Sequence, residues 1–238
     1  MKEKNPIPLQ QIRENERNSH IEMYTNQTLY GNDSWLQKPV KTVSDLIPYF
    51  ADHTELRVLD LGCGIGRNCI PIAKHFQDVP CRIDCVDILE FAIEKLSENA
   101  STYGVTQSIH GIVKPIDEFL IPPNHYDWII AVSALEHMDS ETSLVMKLAE
   151  IRDGLRKNGI VCLIINTNIT EFKKTDGCTV PAQFEVNLQT EVLQDILNRT
   201  FKGWDITKFT VRTQNYDIPR DFGISELHTD VVTFVAQK

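Results

Sequence analysis

The chain has 238 residues, 42% hydrophobic and 24% charged, a composition that supports one sizeable apolar core and argues against broad disorder. Its net charge of −9 disfavours non-specific binding to nucleic acid, which needs clustered Lys and Arg. No apolar run reaches membrane-spanning length and the opening MKEKNPIPLQ lacks the apolar stretch of a secretory signal, so a cytoplasmic protein with no membrane partner is expected.

Residues 1–20 are polar and read as a frayed or helical lead-in, and residues 21–36 carry Tyr24, Tyr30 and Trp35 without clean periodicity. From about residue 40, Val40, Val43, Leu46, Ile47 and Phe50 fall on one face of a predicted helix. Strand and helix then alternate. A strand over 57–61 precedes a helix over 68–76, in which Pro71 is tolerated only in the first turn. A second strand covers 82–87, and Leu89, Ile93, Leu96, Ala100 and Tyr103 form the apolar stripe of the next helix. Strands follow over 108–113 and 126–133, then a helix marked by Leu144, Leu148, Ile151 and Leu155 that stops at KNG. A fifth strand over 160–166, a helix over 190–201 and strands near 204–212 and 229–236 complete the series. The pattern predicts an α/β, doubly wound, Rossmann-like fold with a seven-stranded, mostly parallel sheet and an antiparallel C-terminal edge strand. We divide it into an N-terminal helical arm or lid, 1–45, and a Rossmann-like domain, 46–238. The six cysteines include no CxxC pair and are expected to be reduced, with no metal site.

The first strand runs into the loop VLDLGCGIGRN, residues 58–68. An open α/β sheet binds ligands at the carboxyl ends of its strands, so this loop is well placed. A dinucleotide fingerprint G-x-G-x-x-G counted from Gly62 needs glycine at 67, where the chain has Arg67. The chain also lacks the G-x-x-x-x-G-K-[ST] phosphate loop.

The run D-x-G-x-G-x-G resembles motif I of class I S-adenosylmethionine-dependent methyltransferases, and that resemblance implies S-adenosylmethionine as the cofactor. It assigns Asp60 to the cofactor ammonium, the backbone near Gly62, Gly64 and Gly66 to its carboxylate and ribose, and Asp87 to the ribose hydroxyls. Asn68 joins this set, Ile88 covers one adenine face, and Ile116 packs on the base. Asp117 either reaches the adenine amino group or caps a turn. Ser133 flanks the methionine part, and Glu136 and His137 border the transfer pocket, His137 being either a packing or a catalytic residue.

A closer resemblance, over about 57–238, is to the tellurite-resistance (TehB-like) methyltransferases, through VLDLGCGIGRN with IPIA, then PAQFEVNLQTEVLQDIL, GWDI, ELHTD and FVAQK. It implies that His228 lies near the methyl-transfer site, the alternative being a residue at the start of a strand making a backbone hydrogen bond. An Arg usually follows that histidine, but here Thr229 does, so an oxyanion acceptor would need Arg212 or Arg220 instead. An amine or hydroxyl acceptor would give His228 or His137 a role as base, whereas a thiolate or oxyanion would need none. Tyr24, Tyr30 and Trp35 form either a lid over the cofactor or a packed arm. The expected function is methylation of a small molecule (thiol, amine or chalcogen oxyanion) by a monomer or homodimer. The alternative is a non-catalytic, S-adenosylmethionine-binding sensor.

Overall fold

The structure, a computed structural model, describes residues 8–32, 34–220 and 222–238. Five strands build the parallel part of the sheet: β1 (Leu56–Leu61), β2 (Cys81–Asp87), β3 (Ile109–Val113), β4 (Tyr126–Val132) and β5 (Leu155–Lys173). With β6 (Thr179–Val180), β7 (Asp205–Arg220) and β8 (Gly223–Gln237), the order is β3-β2-β1-β4-β5-β8-β7, and β6 pairs on β5. β8 is antiparallel to both neighbours, so the antiparallel strand of this C-terminal edge lies one place in from the outermost β7. The order reverses between β1 and β4, the switch point at which such sheets bind ligands.

Helices α3 (Cys69–His75), α4 (Glu90–Thr102), α5 (Glu141–Gly154) and α6 (Thr190–Thr200) follow β1, β2, β4 and the β6 segment. Pro71 sits in the first turn of α3, where its missing N–H costs nothing. Ser140 caps α5, accepting from Ser143 N at 3.1 Å. One face of the sheet packs Leu56, Val58, Cys85 and Trp128 under α3 and α4, and the other packs Leu59, Leu61, Ile129 and Val161 under α5 and α6. Before the sheet, α1 spans Leu9–Asn26, and α2 (Lys41–Leu46) leads into a short turn where Phe50 stacks on Trp128, ring centres 4.9 Å apart. No helix among the described residues is long and apolar enough to cross a membrane.

Two expectations are corrected. The helix expected to stop at KNG ends at Gly154, where the missing Cβ lets the chain lie against Ile121, and Leu155 already belongs to β5. The last strands run well past 212 and begin well before 229, because β5, β8 and β7 pair with one another as far as Lys173↔Ser225 and Arg220↔Gly223. Cross-strand pairing carries these polar segments, which hydropathy alone does not mark.

Candidate active site

The loop after β1 is built by backbone geometry. Gly62, Gly64 and Gly66 all have positive φ, at 72°, 52° and 99°. Gly62 N and Cys63 N donate to Val86 O (2.8 and 3.1 Å), Gly64 N donates to Asp87 Oδ2 (2.9 Å), and Gly66 N donates to Cys63 O (3.1 Å). The three glycine amides are therefore spent inside the fold, and the glycines serve by making room. A Cβ on Gly62 would overlap Ala134, and one on Gly66 would stand 2.7 Å from Ile70 and Leu96.

Asp60 ends β1 with 1% of its surface exposed, and its Oδ2 has no hydrogen-bond partner. Burial and the charge of Asp87 push its carboxyl up to about 7, against a smaller lowering by Cys69. Asp87, at the end of β2, accepts from Gly64 N and, through Oδ1, from Leu89 N at 2.9 Å. Burial raises its carboxyl, while these backbone donors and His20 oppose the rise. Each carboxylate oxygen has a second lone pair, so Asp87 can tie the loop to β2 and still accept from a diol. Ile88 beside it is exposed, an apolar face at the carboxyl edge. Asn68 turns away: its Oδ1 accepts from Val40 N at 3.0 Å and fastens the segment before α2. Ile116 lies under the loop beside Gly62, and Asp117 Oδ1 accepts from Asp139 N at 3.4 Å, which ties the turn after β3 to the segment before α5.

At the end of β4, Ser133 has φ 49° and is exposed, and its hydroxyl oxygen receives Asn166 Nδ2 at 3.5 Å. Glu136 is 1% exposed; Asn166 donates to its Oε1, and its Oε2 has no partner. His137 bonds Glu185 Oε2 through Nδ1 at 2.9 Å and stacks on Phe184. Burial alone would lower the His137 pKa, but the Glu185 bond and the charges of Glu136, Glu185 and Glu16 together raise it to about 9.

Helix α1 closes this end of the sheet. Arg13 pairs with Asp139 and lies 3.6 Å from Glu185, Glu16 lies 3.9 Å from Arg220, and the Tyr24 hydroxyl lies over Gly64. Arg220 is itself held by Glu171 through two bonds of 2.7 and 2.9 Å. Tyr30 donates to Arg67 O at 2.8 Å and Trp35 lies against the Arg67 guanidinium, so these two aromatics fasten the following segment beside the loop. Sequence reasoning missed Arg13, Glu16, Asn166, Glu171 and Glu185. The legible signal was the spacing of Ile12, Glu16, His20 and Tyr24, one helical face four residues apart.

His228 stands apart from this constellation. Thr233 is level with the end of β4, and His228 lies five residues further along β8, roughly 17 Å of strand. Its Nε2 meets Glu226 Oε1 at 2.9 Å and its ring packs on Phe172, whereas neighbouring Thr229 is buried and reaches Asn166 Oδ1 at 3.4 Å. Alternation along the strand thus turns Thr229, not His228, toward Glu136. Arg212 is exposed on β7.

The family described as "Methyltransferase domain" matches residues 58–159. A ubiquinone biosynthesis O-methyltransferase of Rickettsia canadensis is 28% identical over 188 residues, 76% of this chain and 68% of its own length. A carboxy-S-adenosyl-L-methionine synthase of Shewanella halifaxensis is 33% identical over 64 residues, 27% of this chain and 26% of its own length. Among solved structures, TehB from Haemophilus influenzae superposes with a TM-score of 0.59 at 17% identity, over 82% of this chain and 62% of TehB. An S-adenosylmethionine-dependent methyltransferase from Methanosarcina mazei gives 0.59 at 14% identity, over 84% of this chain and 98% of its own. These two structures share the fold. The cofactor's chemistry fits what lies at the switch point: a buried carboxylate oxygen with no partner on Asp60, a glycine cradle, Asp87 with lone pairs to spare and an exposed apolar Ile88. Residues 58–159 thus carry a methyltransferase domain, S-adenosylmethionine-dependent, within a Rossmann-like fold.

Proposed function

We propose that the chain methylates a small-molecule acceptor held between the carboxyl end of β4 and helix α1. The observation that carries this reading is the position of α1, which covers the glycine loop through Tyr24 and reaches Asp139 and Glu185 through Arg13. A roofed site suits a small molecule and the exclusion of water, and it obstructs a folded protein or a duplex. Relatives named for ubiquinone biosynthesis and for carboxy-S-adenosyl-L-methionine synthesis are both named for small molecules, which supports the same reading.

S-adenosylmethionine supplies a methyl group activated by a sulfonium. In this reading Asp60 receives the amino group on its unpartnered oxygen, Asp87 accepts from the ribose hydroxyls, and Ile88 and Ile116 flank the base. Ser133 and the turn through Glu136 and His137 border the acceptor. His137, held protonated by Glu185, is not the acceptor's base near neutral pH. Affinity to the TehB-like group concerns the fold more than the acceptor: Thr229 follows His228, and Arg220 is bound by Glu171.

Calorimetry with S-adenosylmethionine tests the reading. Binding by the intact chain and at least a tenfold loss in Asp87→Ala are expected, together with transfer of labelled methyl to small molecules of a cell extract. No binding by the intact chain overturns the whole reading. Binding without transfer to any acceptor favours a sensor.

A further inference from the structure

We infer that the acceptor is a cation, an amine bound as its ammonium, and that Glu136 is the residue that receives its N–H. This rests on the small-molecule reading above and names the acceptor's class.

Glu136 is the starting point. It is 1% exposed, Asn166 occupies its Oε1, and its Oε2 is buried without a donor. A buried carboxylate oxygen left unpaired is costly, and the cost is recovered when a ligand brings an N–H or O–H to it. A second orphan acceptor, Gln183 Oε1, lies three residues before Val186, whose N donates to Glu136 O at 3.0 Å. Both vacancies are for donors, and neither offers anything to an anion.

The surrounding charge selects among donors. His137 is ringed by Glu16, Glu136 and Glu185, and the nearby cations are already engaged: Arg13 with Asp139 and Glu185, Arg220 with Glu171 and Glu16, His137 with Glu185. An oxyanion or thiolate would therefore find no free guanidinium nearby among the described residues, and a Glu136 carboxyl that burial pushes toward its neutral form, whereas a cation favours the carboxylate. A neutral hydroxyl would satisfy Glu136 but holds its proton far more tightly than an ammonium does, so it alone would depend on a strong base, and the histidine at hand is bound to Glu185 through Nδ1. An ammonium satisfies both the vacancy and the charge.

The step balances simply. The bound ammonium loses one proton to solvent, and the amine nitrogen gives its lone pair to the methyl carbon. The carbon–sulfur bond breaks with its electron pair staying on sulfur, and the product is again an ammonium, which Glu136 accommodates.

The full-length chain loaded with S-adenosylhomocysteine provides the test, by calorimetry with paired probes: phenethylamine against 2-phenylethanol, putrescine against 1,4-butanediol, and each amine against its carboxylate analogue. The expected result is that at least one amine binds ten or more times more tightly than its alcohol and carboxylate partners, and that Glu136→Gln removes this preference while retaining S-adenosylhomocysteine affinity. No preference for any amine, or a preference for carboxylates, overturns the inference even when S-adenosylhomocysteine binds. Failure of the wild-type chain to bind S-adenosylhomocysteine overturns the cofactor reading instead. If Glu136→Gln does not fold, Glu136→Asp, which keeps the charge and retracts it, is expected to weaken the amine preference, and the wild-type comparison decides by itself.

Discussion

The phenolic oxygen of Tyr24 lies 2.6 Å from the point where a Cβ on Gly64 would stand, so α1 meets the glycine loop at a residue with no side chain. Gly64 also has φ 52°, a conformation that an L side chain adopts at a cost. Gly64→Ala is therefore expected to destabilise the fold by about 1–3 kcal/mol and to weaken S-adenosylmethionine binding at least tenfold. Tyr24→Phe removes only the oxygen and should restore part of the loss when combined with Gly64→Ala. Denaturant melts and calorimetry on the four proteins measure this coupling, and wild-type affinity in Gly64→Ala would refute the close approach.

The parallel half of the sheet was legible because short strands alternate with striped helices, and because β4, buried on both faces, reads as an unbroken apolar run from Trp128 to Val132. The glycine loop was legible because backbone constraints write themselves as residue type. The roof was not. Its inward face mixes buried Ile12 and half-buried Tyr24 with Arg13, Glu16 and His20, which face charged groups across the cleft, and so mixed a stripe looks solvated in hydropathy. His228 misled for a different reason: a motif fixes position along a strand, but its side of the strand depends on register with β5, where pairing shifts between Thr167 and Thr170.

Asp60 should make cofactor binding depend on pH. Its carboxyl, raised to about 7 by burial and Asp87, is neutral below that value and must ionise to receive an ammonium. The dissociation constant is expected to rise up to tenfold for each unit that pH falls below 7 and to be level above it, with a flatter profile in Asp60→Asn. The same shift acts on stability. An acid whose folded pKa is raised loses stability as pH climbs from about 4 to 7. Asp60→Asn should thus stabilise the ligand-free protein at pH 8 by up to about 4 kcal/mol, an upper bound from the size of the shift, with little change at pH 4. Calorimetric binding and thermal melts across pH 4–8.5 check both halves.

Arg13 links α1 to the far side of the cleft, yet its pairs with Asp139 and Glu185 are partly exposed, with 40% of the Arg13 side chain and 50% of Asp139 accessible. Such pairs contribute about 0.2–1 kcal/mol each. Arg13→Ala should accordingly raise hydrogen exchange of the α1 amides by a few fold, leave β1 and β4 amides unchanged, and be mimicked by 1 M salt. Equal protection of α1 in the variant and wild type would mean that its packing, centred on buried Ile12, and not its charges, holds the roof down.

His137 and Glu185 set the last expectation. Burial opposes the imidazolium, but the 2.9 Å bond to Glu185 and the charges of Glu136 and Glu16 outweigh it, so the folded pKa stands near 9 against an ordinary 6.5. A cation whose folded pKa is raised contributes stability that is fully present below pH 6.5 and is lost as pH rises through 9. Thermal melts should therefore show a decline between pH 6.5 and 9 that is absent in Glu185→Gln. In that variant burial remains while its main opponent is gone, so the His137 titration seen by NMR should move down from about 9. A catalytic base at His137 would make the transfer rate follow this shift, rising through pH 9 in the wild type and at much lower pH in Glu185→Gln. A rate profile that ignores the shift while the NMR titration moves assigns His137 to holding the turn after β4 against Glu185, which is the role its hydrogen bond favours.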